Sequence, residues 1–131
     1  VSRGQGLGSW MFSQTMESLA QEADERPFGM CWEVERPSDI QNPQERQFAE
    51  RRIRFYERNG SILFPEVELL TPPVGEGLPE VTYHLMYYPL SDEPIIAPDR
   101  IRAMVDVILL EGYGVAPESH YYRRAMQSIR E

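Results

Sequence analysis

The chain has 131 residues, with 13 Lys+Arg against 21 Asp+Glu and a net charge of −8. All 13 cations are arginine, and there is no lysine. That excludes a P-loop lysine, a Schiff-base lysine for a pyridoxal cofactor and a kinase-type phosphate-binding lysine. The acidic balance argues against nucleic acid as a partner, because phosphate binding needs surplus cations.

Length and the 41% apolar content fit one compact domain that buries about two-thirds of its unfolded surface. The single cysteine, Cys31, has no internal disulfide partner, and with two histidines it makes no zinc spacing, so no metal is expected. A free thiol is consistent with a reducing cytoplasm, the expected location. No stretch approaches the roughly 18 apolar residues of a membrane span, so no membrane partner is expected. The first residue is Val1 rather than Met, and a glycine-rich segment follows at once. The expectation is therefore a piece of a longer protein.

Residues 1–8 hold Gly4, Gly6 and Gly8 and read as a loop, too rich in glycine for a helix interior. Residues 9–23 read as a helix with Phe12, Met16, Leu19 and Ala23 on one face. Residues 28–35 read as a strand in which Met30, Trp32 and Val34 alternate with Cys31, Glu33 and Glu35. A second helix is predicted over 43–58, with Asn42 as N-cap, Pro43 in the first turn and Asn59-Gly60 as the stop.

Residues 62–70 and 81–90 read as a long-loop hairpin, the first strand divided into ILF and VELL. Two helices follow. Residues 98–111 present Ile101, Met104, Val105, Ile108 and Leu109 on one face, and residues 117–130 present Tyr122, Ala125, Met126 and Ile129. The Gly112-Tyr113-Gly114 connection suits a helical hairpin. The fold class is α/β, a mixed sheet with flanking helices. The expected division is residues 1–96, then a helical extension over 97–131.

One segment carries chemistry: Arg3-Gly4-Gln5-Gly6-Leu7-Gly8. As a dinucleotide fingerprint it lacks the third glycine, because Ser9 stands there, and no strand precedes it. As a Walker loop it lacks the lysine. As Q/R-x-x-G-x-G/A it matches at Arg3, Gly6 and Gly8, and it resembles the acyl-CoA-binding loop of the GNAT superfamily of N-acyltransferases. Backbone N–H groups at a helix N-terminus bind phosphate without any lysine. The resemblance extends to element order over about residues 1–90, to Glu33-Val34, and to Tyr56 and Gly60 in a Y-x-x-x-G pattern. It departs at Ala49, where many relatives carry an asparagine that contacts the coenzyme, and at Ser61, where an aromatic is common.

The resemblance implies a partial GNAT-like fold lacking its N-terminal strands, with a C-terminal helical hairpin. It implies acetyl-CoA as co-substrate, bound by Arg3, Gly4, Gln5, Gly6, Leu7, Gly8 and Ser9. It implies Tyr56 as the acid that protonates the departing thiolate, and an amine acceptor. Glu33 or Glu35 suits the base, since an ammonium must lose a proton before it attacks a thioester. Both readings of this pair stay open: a base, or a solvent-facing strand end. His84 and Cys31 read as packing residues. Absent upstream strands leave a sheet edge that calls for a covering partner, either a second copy in a homodimer or a complementing N-terminal segment. A non-catalytic, partner-dependent half-domain is the alternative, and an unrelated α/β binding domain a weaker third.

Overall fold

The computed structural model describes residues 3–22, 27–92 and 95–130, with side chains from Gly8 onward. Ala23, the end of the predicted helix, and residues 24–26 after it lie outside the described residues. Helix α1 spans Arg3–Glu22, so it takes in the glycine segment that the sequence suggests as a loop. Each helical glycine costs about 1 kcal/mol against alanine, which is a penalty and not a prohibition. No proline or β-branched residue stops the helix from running back to Arg3. The buried stripe of α1 is Met16 and Ala20 with half-buried Phe12. Leu19, expected on that face, is 46% exposed, because the true stripe advances by four at each step.

Strand β1 spans Gly29–Glu35, and a single 3₁₀ turn at Pro37–Asp39 leads to α2, Pro43–Arg58. Local chemistry sets both ends of α2. The Asn42 side chain accepts hydrogen bonds from the N–H groups of Gln44 at 2.9 Å and Glu45 at 3.1 Å. Gly60, at φ +94°, takes the left-handed conformation that ends the helix, and Ser61 N–H closes back on the Tyr56 carbonyl at 2.9 Å.

Strand β2, Ile62–Thr71, is one strand where the sequence suggests two pieces. Its pairing is irregular between Phe64 and Leu69, the stretch that holds Pro65. Strand β3 spans Val81–Pro89. The sheet order is β1-β3-β2, with β3 antiparallel to both neighbours. The hairpin partner of β2 thus lies in the centre, between β2 and a strand that arrives through α2.

Helix α3, Pro98–Val105, runs on as a π-helical segment, Asp106–Gly112. Helix α4 is His120–Ser128, capped by Ser119, and is shorter than the 117–130 expected from sequence. Its last apolar residue, Ile129, sits one step past the helix end and is still buried.

The sheet separates two cores. Val67, Leu69, Leu85 and Tyr87 pack against Ile101, Met104, Val105, Ile108 and Leu109 of the α3 region and against Ala125 and Ile129. Val34 and Met86 pack with Ile53 of α2, flanked by Trp32, Tyr56 and Leu63. The β2 edge is closed by α4, where the Ser128 hydroxyl accepts the Glu68 N–H at 2.9 Å. Along β1, β3 is the one strand paired among the described residues.

Candidate functional site

Period-two alternation sends Trp32 and Val34 to the α2 face of β1, and Cys31 and Glu33 to the face of the C-terminal helices. Tyr56 reaches the strand from the last turn of α2. Its ring centroid lies 5.1 Å from Trp32, 5.8 Å from Phe55 and 5.7 Å from Phe12 of α1. A cavity of about 440 Å³ opens at this strand, lined by residues 32–35 of β1, Arg52 and Tyr56 of α2, and Val81 and Tyr83 of β3. Tyr56 and Glu33, singled out separately from sequence, therefore share one cavity while lying on opposite faces of the sheet.

The carboxylates of β1 differ in surroundings. Glu33 is half-buried and lies near the Tyr113 hydroxyl. Glu35 is exposed and pairs with Arg52 at 3.5 Å, a solvent-facing contact that contributes little to stability. Burial first, then the nearby Glu33 carboxylate, push the Tyr113 phenol well above its ordinary pKa, with Thr71 opposing. Tyr83 is raised too, by burial and then by the charges of Glu33 and Glu35. Burial, with Glu33 adding to it, pushes the Cys31 thiol up to about 11. Cys31 is thus almost wholly protonated at neutral pH and is no thiolate nucleophile. The Trp32 indole N–H is buried with no acceptor among the described residues, which costs about 1–3 kcal/mol unless a bound group accepts it.

The glycine segment meets this site through α1. A Cβ at Gly8 would stand 3.5 Å from the Phe55 ring, and Phe12, one turn on, touches Tyr56. Because α1 begins at Arg3, the N–H groups of Arg3, Gly4 and Gln5 in its first turn have no intrahelical acceptor. Leu7, Gly8 and Ser9, also predicted as coenzyme contacts, lie inside the helix. The side chains of residues 3–7 are outside the description. Of the arginines on α2, Arg52 lines the cavity, Arg54 pairs with Glu50 at 3.8 Å, and Arg51 and Arg58 stack over Phe48 and Phe55. His84 lies on β3 opposite Val34, outside the lining of the cavity.

A larger cavity, about 790 Å³, lies between β2 and α4 with charged walls that include Glu66, Glu68, Arg123 and Arg124. Its cations and anions answer each other, as Arg124 and Glu68 do at 2.9 Å, and no predicted site residue lines it. The smaller cavity carries the better claim, because Tyr56 and Glu33 both line it. Trp32 and Tyr83 line the cavity and are site residues that sequence reasoning missed, and Tyr113 lies near Glu33 outside the lining. Tyr113 had one signal, its place between two glycines. Among the described residues, no three His, Cys, Asp or Glu side chains cluster to hold a metal ion, and no helix is long and apolar enough to cross a membrane.

No protein-family model matches this chain, and no curated protein matches it. Among solved structures it is similar to a protein from Bacteroides thetaiotaomicron named for the GNAT acetyltransferase family. The TM-score is 0.54 and the identity 24%, over 88% of this chain and 56% of that one. The chain thus spans little more than half the length of that relative. Identity at this level speaks for the fold, and the fold is a partial GNAT-like one: a three-stranded antiparallel sheet with helices on both faces.

Proposed function

We propose that this chain is the coenzyme-binding part of a GNAT-type N-acetyltransferase that moves an acetyl group directly from acetyl-CoA to an amine. The observation that carries the reading is the shared cavity. Tyr56 and Glu33 line it together within a GNAT-like fold, beside the helix that bears the glycine segment.

In this reading the N–H groups at the start of α1 hold the coenzyme pyrophosphate, helped by the positive end of the helix dipole. The acceptor arrives as an ammonium and gives one proton to Glu33. The free amine attacks the thioester carbonyl, a C–N bond forms, and the C–S bond breaks. The departing thiolate takes a proton from Tyr56, the second proton of the nitrogen restores the Tyr56 hydroxyl, and the proton on Glu33 leaves to solvent, one released in all. With both substrates bound together, no acyl-enzyme is required. The free Cys31 thiol fits a cytoplasmic setting.

Calorimetry with acetyl-CoA on the full protein tests the reading, and a clear heat of binding is expected. Tyr56→Phe should lower kcat by about 100-fold, the scale of a lost general acid, with acetyl-CoA affinity retained. Absence of binding refutes the proposal, and an unchanged kcat removes Tyr56 from it.

The outer side of β1 favours a second reading, a module completed by a further segment or a second copy that pairs along that strand. Acetyl-CoA binding without transfer to any amine would select it.

A further inference from the structure

The cavity at β1 has two unlike sides, one aromatic and one charged. The aromatic side is fixed. Trp32 and Tyr56 meet edge to face, with centroids 5.1 Å apart and planes at 69°. Phe12 of α1 supports both from behind, 6.4 Å from Trp32 and 5.7 Å from Tyr56. Phe12 itself packs on Phe55 at 5.9 Å and on Tyr88 at 5.3 Å. Rings already held by neighbours lose little freedom when a further ring docks on them, so this corner is preorganised.

The charged side is unbalanced. Glu33, Glu35 and Arg52 are the charged residues of the lining, two anions against one cation. Arg52 pairs with Glu35 at 3.5 Å, and no cation among the described residues pairs with Glu33. One ammonium therefore neutralises the cavity. A carboxylate on the same ligand would add to the excess negative charge, and a second ammonium would overshoot it beside Arg52.

Both sides are reached across the outer edge of β1. Trp32 lies on the α2 face and Glu33 on the other, and no strand among the described residues pairs along that edge to part them. A ligand lying over the edge meets rings at one end and a carboxylate at the other. A volume of about 440 Å³ suits a small molecule.

We propose that the acceptor is a small primary amine joined by a short alkyl spacer to an aromatic ring, with no carboxylate. Its ring packs against Trp32 and Tyr56, and its ammonium faces Glu33. This rests on the acetyltransferase reading above and adds to it the chemical class of the acceptor.

The test measures kcat/KM in the full protein, at saturating acetyl-CoA, for 2-phenylethylamine, butylamine, 1,4-diaminobutane and phenylalanine. 2-Phenylethylamine should lead. Its lead over phenylalanine should be about 50-fold, the scale of like charges roughly 7 Å apart near a protein surface. Its lead over butylamine should be about tenfold, the scale of one aromatic contact. Trp32→Leu should erase the lead over butylamine with KM for acetyl-CoA unchanged, whereas a general loss of structure lowers both amines alike. Any of the other three amines as the best substrate overturns the proposal, and so does an aromatic lead that survives Trp32→Leu. No transfer to any primary amine refutes the acetyltransferase reading, and this inference with it.

Tryptophan fluorescence gives a readout that needs no turnover. With coenzyme A present, 2-phenylethylamine should shift the emission of the wild type, and Trp32→Phe, which keeps a ring in place, should remove the shift. Equal shifts in the two proteins, or none in the wild type, overturn the contact with Trp32.

Discussion

His84 shows how far one side chain's setting departs from its sequence neighbourhood. It stands in the central strand opposite Val34, and its Nδ1 is buried with no hydrogen-bond partner among the described residues. Burial foremost, and then the Arg36 charge, hold its pKa below the ordinary 6.5, against a smaller opposite pull from Asp39. The folded state therefore binds fewer protons than the unfolded state as pH falls through about 6.5, and stability declines in that direction until the folded value is passed. Thermal melts from pH 7.5 to 5 should show a falling Tm, and His84→Gln should flatten the slope. An equal slope in both proteins would remove His84 as a cause. No such proton linkage reaches the proposed chemistry directly, because His84 does not line the cavity.

Helix α1 carries the largest difference between expectation and structure. Three glycines in six residues suggest a loop, yet the helix includes them. Gly8 is the informative one. A Cβ there would meet the Phe55 ring at ordinary contact distance, so packing within the protein does not demand glycine. Gly8→Ala should raise stability by about 0.5–1 kcal/mol, as glycine replacement in a helix does. If the position is kept bare for the coenzyme, Gly8→Val should raise KM for acetyl-CoA severalfold. Thermal melts and steady-state kinetics on the two variants separate these effects. A stabilised Gly8→Ala protein, with KM unaltered in both variants, would leave the glycine segment without a coenzyme role. Helix α2 behaves differently. Asn42, Pro43 and Asn59-Gly60 act on the backbone within a few positions of themselves, and its limits follow from the sequence.

Residues 97–130 read as an extension in sequence, yet they supply seven side chains of the larger core, from Ile101 to Ile129, against four from β2 and β3. Burying each of the larger ones is worth about 1.5 kcal/mol at the low end. Their sum is comparable to the whole stability of about 5–15 kcal/mol expected for a domain. A chain cut after residue 96 should therefore fail to fold, and circular dichroism and solubility would report it. A soluble truncated protein with a cooperative melt would show that the sheet stands with α1 and α2 alone.

Patterns of short range carried their meaning without the fold. The alternation in β1 and the apolar face from Ile101 to Leu109 depend on backbone periods of 2 and 3.6, which a sequence displays directly. The Tyr56 turn could be marked for the same reason, since its signal is a glycine four residues on. The order β1-β3-β2, the cavity that joins Tyr56 to Glu33, and the approach of Tyr113 to Glu33 had no such signal. Each depends on which elements pack together, and packing is decided by the summed burial of distant side chains and not by any local pattern. The same reason explains why the Glu33–Glu35 pair stayed undivided in sequence. The two residues are alike in spacing and chemistry, and they differ because a tyrosine 80 residues away lies near one of them and an exposed arginine pairs with the other.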